Sequence, residues 1–114
     1  MTKRLCRAAQ RYPPADREYR TPAAKGRQIP PDASAEQRQS WDALSAWDMP
    51  EAAIVVARRS LSARFVACFD IPDDSGVTYE PSGPPGHFDI RGDLGTLKRY
   101  LTDVKLAVDR GGER

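Results

Sequence analysis

Between Arg64 and Arg91 the chain alternates. Phe65, Ala67, Phe69 and Ile71 fall on one side and Arg64, Val66, Cys68 and Asp70 on the other, which predicts a strand with its aromatics on one sheet face. Pro72-Asp73-Asp74-Ser75-Gly76 supplies a fixed φ, two self-bonding side chains and a glycine, so a hairpin is predicted, with Val77 and Tyr79 returning opposite Ile71 and Phe69. Pro81, Pro84 and Pro85 lack N–H donors, so Pro81 to Gly86 reads as a loop. A third strand, His87-Phe88-Asp89-Ile90-Arg91, follows it. In the predicted register Glu80 faces His87 and Thr78 faces Asp89.

Helical spacing marks the flanks. Ser34-Ala35-Glu36-Gln37 fits a capping box and no proline intervenes before Pro50, predicting a helix from Ala35 to about Ala46 that buries Trp41 and Leu44. Asp48-Met49-Pro50-Glu51 is a second start signal. It tips the β-branched run from Ala52 to Ala57 toward helix, although a buried strand fits the same residues. After Asp93, Leu94, Leu97, Leu101 and Val104 recur at three- and four-residue intervals and predict another helix, with Leu106 and Val108 in a short final strand. Leu5 to Ala9 reads as a short edge strand. The expected fold is α+β: a small, mostly antiparallel sheet of three to five strands packed by two or three helices. Phe65, Phe69, Tyr79, Phe88, Ile90, Leu97 and Leu101 form its expected core.

Charge adds an arm to this picture. Residues 1–33 hold eight Lys or Arg against three acids, a balance of +5, while the remaining ten bases and thirteen acids give −3. Five prolines between Tyr12 and Pro31 exclude a long helix there, so residues 1–33 read as an extended basic arm. Residues 34–110 read as one domain and residues 111–114 as a fraying tail. No apolar run approaches the roughly 20 residues that span a bilayer, and no apolar segment follows Met1-Thr2-Lys3-Arg4, so a cytoplasmic location without membrane contact is expected. Cys6 and Cys68 lack metal-site spacing, and the expected compartment predicts no disulfide. The wealth of Ala, Arg, Asp and Pro matches a GC-rich, bacterial coding sequence.

Candidate chemistry sits in two places. In the arm, Arg11 and Tyr12, then Arg17, Tyr19 and Arg20, interleave cations with aromatics, as a single-stranded nucleic acid would require. The alternative is an arm that wraps the body. On the sheet, Glu80 beside His87 is an orienter-and-base arrangement and Arg91 is placed to hold an anion, while Pro84 and Pro85 form a rigid tip suited to docking on a protein. A lone histidine among scattered carboxylates does not make a zinc site, so no metal is expected.

Arg7 on a first strand, the run Leu44-Ser45-Ala46-Trp47 entering an Ala-rich helix, and a later strand bearing Glu80 look like small bacterial ADP-ribosyltransferase-like domains. The Ser-Thr-Ser and Glu-x-Glu patterns of that family are absent. The resemblance implies that Arg7 and Ser45 contact a nicotinamide dinucleotide and that Glu80 supplies the catalytic carboxylate. Three functional expectations follow. The first is a non-catalytic module that meets a protein partner through its arm and proline tip and needs no cofactor. The second is an NAD-binding transferase using Arg7, Ser45, Glu80 and His87, and the third is a single-strand nucleic-acid binder.

Overall fold

A computed structural model describes residues 2–60, 62–92 and 94–107. Its centre is one antiparallel sheet of six strands: β1 (Thr2–Ala9), β2 (Leu44–Trp47), β3 (Phe65–Pro72), β4 (Val77–Pro81), β5 (His87–Gly92) and β6 (Leu101–Leu106). Their spatial order is β4-β5-β2-β1-β3-β6. Two α-helices, α1 (Ala35–Gln39) and α2 (Pro50–Arg59), and 3₁₀ segments at Asp16–Tyr19 and Leu94–Tyr100 complete it. The expectation of three to five strands packed by two or three helices is therefore corrected. Two segments assigned to helices are strands, and the helical elements are short.

Both reassignments share a physical cause. In the 35–46 stretch the capping box forms, with Ser34 Oγ accepting from the Gln37 amide and Gln37 Oε1 from the Ser34 amide. The helix nevertheless ends after five residues, because Leu44 and Ala46 bury more completely in a sheet, where Leu44 pairs with Ile90 and Ala46 with Phe88. The three- and four-residue spacing of Leu97, Leu101 and Val104 likewise fits two solutions. Leu97 is buried from the 3₁₀ segment, while Leu101 and Val104 lie on β6 opposite Phe69 and Ala67, their two-side alternation restored by a register shift between Cys68 and Phe69. Asp93 as a cap, Val108 as a strand residue and the tail lie outside the described residues. Over 52–57 the helix expectation holds, with Pro50 opening α2 and Arg58 and Arg59 closing it.

Topology differs more. Thr2–Ala9 is no edge strand: β1 lies between β2 and β3. The predicted hairpin of β3 with β4 does not form, since β4 occupies one edge and β3 sits on the far side of β1. Glu80 pairs with Asp89 and Thr78 with Arg91, two residues from the expected register, so each side chain keeps its predicted face. At the end of β5, Gly92 has φ +107°, and a Cβ there would stand 2.3 Å from the Gly76 carbonyl oxygen. Only glycine lets the two chains approach so closely.

The sheet separates two apolar layers. On one face Leu5, Leu44, Ala46, Phe69, Ile71 and Ile90 are buried beneath Tyr19 and Leu97, with Phe65, Tyr79, Phe88 and Leu101 packed around them. On the other, α2 lays Ala53 and Ala57 over Cys6, Val66 and Cys68. Cys6 and Cys68 are direct register partners joined by a disulfide across β1 and β3, against the expectation of two free thiols. Sequence gave no sign of this pairing, because the two lie 62 residues apart. Among the described residues no helix is long and apolar enough to cross a membrane.

Phe69 is the largest fully buried side chain, facing Leu5 and meeting the Tyr19 ring edge-on at 6.0 Å. Phe69→Ala is expected to cost about 3–5 kcal/mol in denaturant unfolding. A loss below about 0.5 kcal/mol, the usual effect of a surface substitution, would place Phe69 outside the core.

Candidate functional site

The sheet is unevenly stitched. Every residue from Thr2 to Ala9 has a partner on β3, whereas the ladder between β1 and β2 holds one register pair, Cys6 with Trp47, among the described residues. Beyond that pair no other register partner joins the two strands among the described residues, and side chains add to the contact. Arg7 Nε donates to the Ser45 carbonyl at 2.9 Å and Arg7 Nη1 to the Glu18 carbonyl at 2.5 Å. The guanidinium thus bridges the open junction from β1 to β2 and to the 3₁₀ turn.

Around it lies a cleft of three adjoining lobes of about 320, 330 and 220 Å³, all lined by Lys25. Arg7, Arg17, Arg20 and Arg27 line one or more of them. The lobe of about 320 Å³ also presents Gln37, Ser40, Trp41 and Ser45. The wall is anchored where the Ala23 amide donates to the Trp41 carbonyl and Trp41 Nε1 to the Arg27 carbonyl, at 3.0 and 2.9 Å. Thr21, buried, holds the turn that presents Lys25 by accepting from the Ala24 amide at 3.1 Å.

Electrically the cleft is unbalanced. Glu18 is the acid on its wall, and its two oxygens already accept from the Gln10 and Ala15 amides at 2.6 and 2.7 Å. None of the five cations forms a salt bridge with a carboxylate among the described residues. Partial desolvation lowers the pKa of the Lys25 ammonium, although the residue is exposed, and repulsion from Arg27, Arg7 and Arg17 lowers it further against the attraction of Glu18. Burial also lowers Arg7, opposed by Glu18 and the Tyr19 hydroxyl. Positive charge is gathered here against its own repulsion, the condition an incoming anion relieves.

Of the residues singled out by sequence, Arg7, Arg17, Arg20 and Ser45 meet in this cleft. Arg11 is exposed outside it. Tyr12 is 68% exposed and touches the Phe65 ring edge-on, and Tyr19 is buried. Glu80 lies in register with Asp89, which pairs with Ser45. About two strand spacings, roughly 10 Å, therefore separate Glu80 from Ser45. Arg91 binds Glu80 at 2.6 Å and Asp42 at 3.1 Å and also reaches the Gln39 carbonyl. His87 is opposite Trp47 rather than Glu80, and its Nδ1 donates to the Ser82 carbonyl at 2.7 Å. Pro84 and Pro85 are exposed at the β4–β5 turn. No group of three His, Cys, Asp or Glu among the described residues is placed to share a metal ion.

Sequence reasoning missed Lys25, Arg27, Ser40, Trp41 and Asp89 as a set. The excess charge of residues 1–33 pointed to the first two, whereas nothing local marks Ser40 and Asp89, which meet across 49 residues. Comparison with protein-family models, with curated proteins and with solved structures gave no match.

Because folding lowers the Lys25 pKa, its charge destabilises the unliganded protein. That cost is complete below the folded pKa and disappears as pH rises toward the ordinary value of 10.5. Lys25→Gln is expected to raise the unliganded Tm by about 1–3 °C near neutral pH. The gain should shrink as pH rises through that window. A lowered Tm at neutral pH would show that Lys25 is not under repulsion.

Proposed function

We propose that the protein binds a nucleotide through its phosphates in the cleft between β1 and β2, and that NAD or a relative sharing its adenosine diphosphate is the ligand. The observation that carries this is the gathering of Arg7, Arg17, Arg20, Lys25 and Arg27 against the single acid Glu18 beside the β1–β2 junction. A phosphomonoester concentrates its charge of about −1.5 to −2 at one phosphorus, whereas the diphosphate of NAD or ADP-ribose spreads a similar total over two phosphates, so cations that line adjoining lobes can each meet one. Trp41 lines one of these lobes and supplies an aromatic surface next to the cations.

Of the sequence expectations, the NAD-binding one draws the most support, because Arg7 and Ser45, implied as its nucleotide contacts, adjoin each other at 2.9 Å. Glu80 is engaged by Arg91 and lies away from Ser45. No transfer step is assigned to it. For the nucleic-acid reading, Tyr19 offers no free face for stacking. The protein-docking reading keeps one supporting feature, the exposed Pro84-Pro85 tip.

A thermal-shift titration with NAD, ADP-ribose and ADP, with inorganic phosphate as control, tests the proposal. Ligand at a hundred times its dissociation constant adds about 2.7 kcal/mol, a rise on the order of 10 °C for a chain this size. Arg20→Ala combined with Lys25→Gln should abolish the rise. Saturating nucleotide without a shift, or an undiminished shift in the double variant, would contradict it.

A further inference from the structure

The lobe lined by Arg7, Arg20 and Lys25 is also lined by Ser40, whose hydroxyl is already committed. Ser40 Oγ donates to Asp89 Oδ2 at 2.7 Å, and Asp89 is 1% exposed. A carboxylate only accepts, so the one Ser40 proton is spent on it and the hydroxyl faces its remaining surroundings with lone pairs. Ser82 Oγ, at 3.5 Å, is the other hydroxyl within reach and takes up at most one of them. The arrangement is held firmly: the Ser40 amide closes α1 on the Glu36 carbonyl at 3.0 Å, and Arg91 Nη2 stands 3.8 Å from Asp89 Oδ2. Asp89 Oδ1 has no hydrogen-bond partner among the described residues, and its burial sets this carboxylate apart from the exposed acids around it.

Resting on the nucleotide reading above, we infer that Ser40 is an acceptor-only hydroxyl that selects a ligand carrying a hydroxyl donor beside its phosphates, a ribonucleotide over its deoxy counterpart. Asp89 is the positioning residue that fixes the Ser40 proton. A site built to accept from a hydroxyl discriminates strongly against the analogue lacking it, because the site's own polar group is then left unpaired. The anionic end of such a ligand meets Arg7, Arg20 and Lys25 while its sugar meets Ser40 and Gln37, all within one lobe of about 320 Å³.

Calorimetric titration of the full chain with ADP and with 2′,3′-dideoxy-ADP tests this. Wild-type protein is expected to prefer ADP by about tenfold, the worth of one well-made hydrogen bond. Ser40→Ala should weaken ADP about tenfold, bind the dideoxy analogue no more weakly than wild type does and so erase the preference. Ser40→Thr, which keeps the hydroxyl, should retain it. In Asp89→Asn the new amide can donate to Ser40 and free its proton, so the preference should fall while dideoxy-ADP binding is unchanged. Equal affinity of wild-type protein for both nucleotides, or a preference that survives Ser40→Ala, would overturn the role of Ser40 and leave the nucleotide site standing. Failure of both nucleotides to bind wild-type protein would overturn the nucleotide reading and this inference with it.

Discussion

The structure depends on how β1 is shared between its neighbours. Paired to β3 along its whole described length and to β2 at Cys6 and Trp47, the strand belongs to one half of the sheet and only touches the other. Backbone groups near such a junction need other partners, because an unpaired buried peptide group costs about as much as a lost hydrogen bond. Arg7 meets part of that need at the Ser45 carbonyl. A residue that doubles as a structural bridge and a cleft cation is difficult to replace, since removing it opens the junction as well as weakening the site.

Residues 10–33 make sense around that junction. They return from the end of β1, bury Tyr19 against Phe69 and Thr21 beneath the turn, and swing Arg20, Lys25 and Arg27 to the mouth of the opening. Glu18, the acid best placed to neutralise them, is bonded to the Gln10 and Ala15 amides and shapes the turn. The apolar anchoring offsets the like-charge repulsion. Proteins commonly carry such local conflict at sites of function.

How legible this was in the sequence differs element by element. Period-two alternation disclosed β3 and β5 and the faces of their side chains, and the burial of Phe69 and Ile90 follows from it. Proline at the start and arginines at the end disclosed α2. Strand order was not legible, because turn residues such as Pro72 to Gly76 are the same whether the chain folds back on its own strand or crosses to a distant edge. Leu94 to Val104 was misassigned because leucines three and four apart satisfy a helix as well as a 3₁₀ segment followed by a bulged strand. The surplus charge of residues 1–33 was countable, but its convergence was hidden until β1 proved central. The Ser40–Asp89 contact had no local signature at all.

The central claim is that the cleft at the β1–β2 junction receives phosphate groups. Its most direct test is an amide ¹H–¹⁵N NMR titration of the full chain with ADP. Saturable shifts should concentrate at Arg7–Gln10, Arg17–Arg27 and Ser40–Ser45, three separate segments that line this cleft. Shifts confined to Arg4, Lys98 and Lys105, cations outside the cleft, or none at saturating nucleotide, would contradict the account.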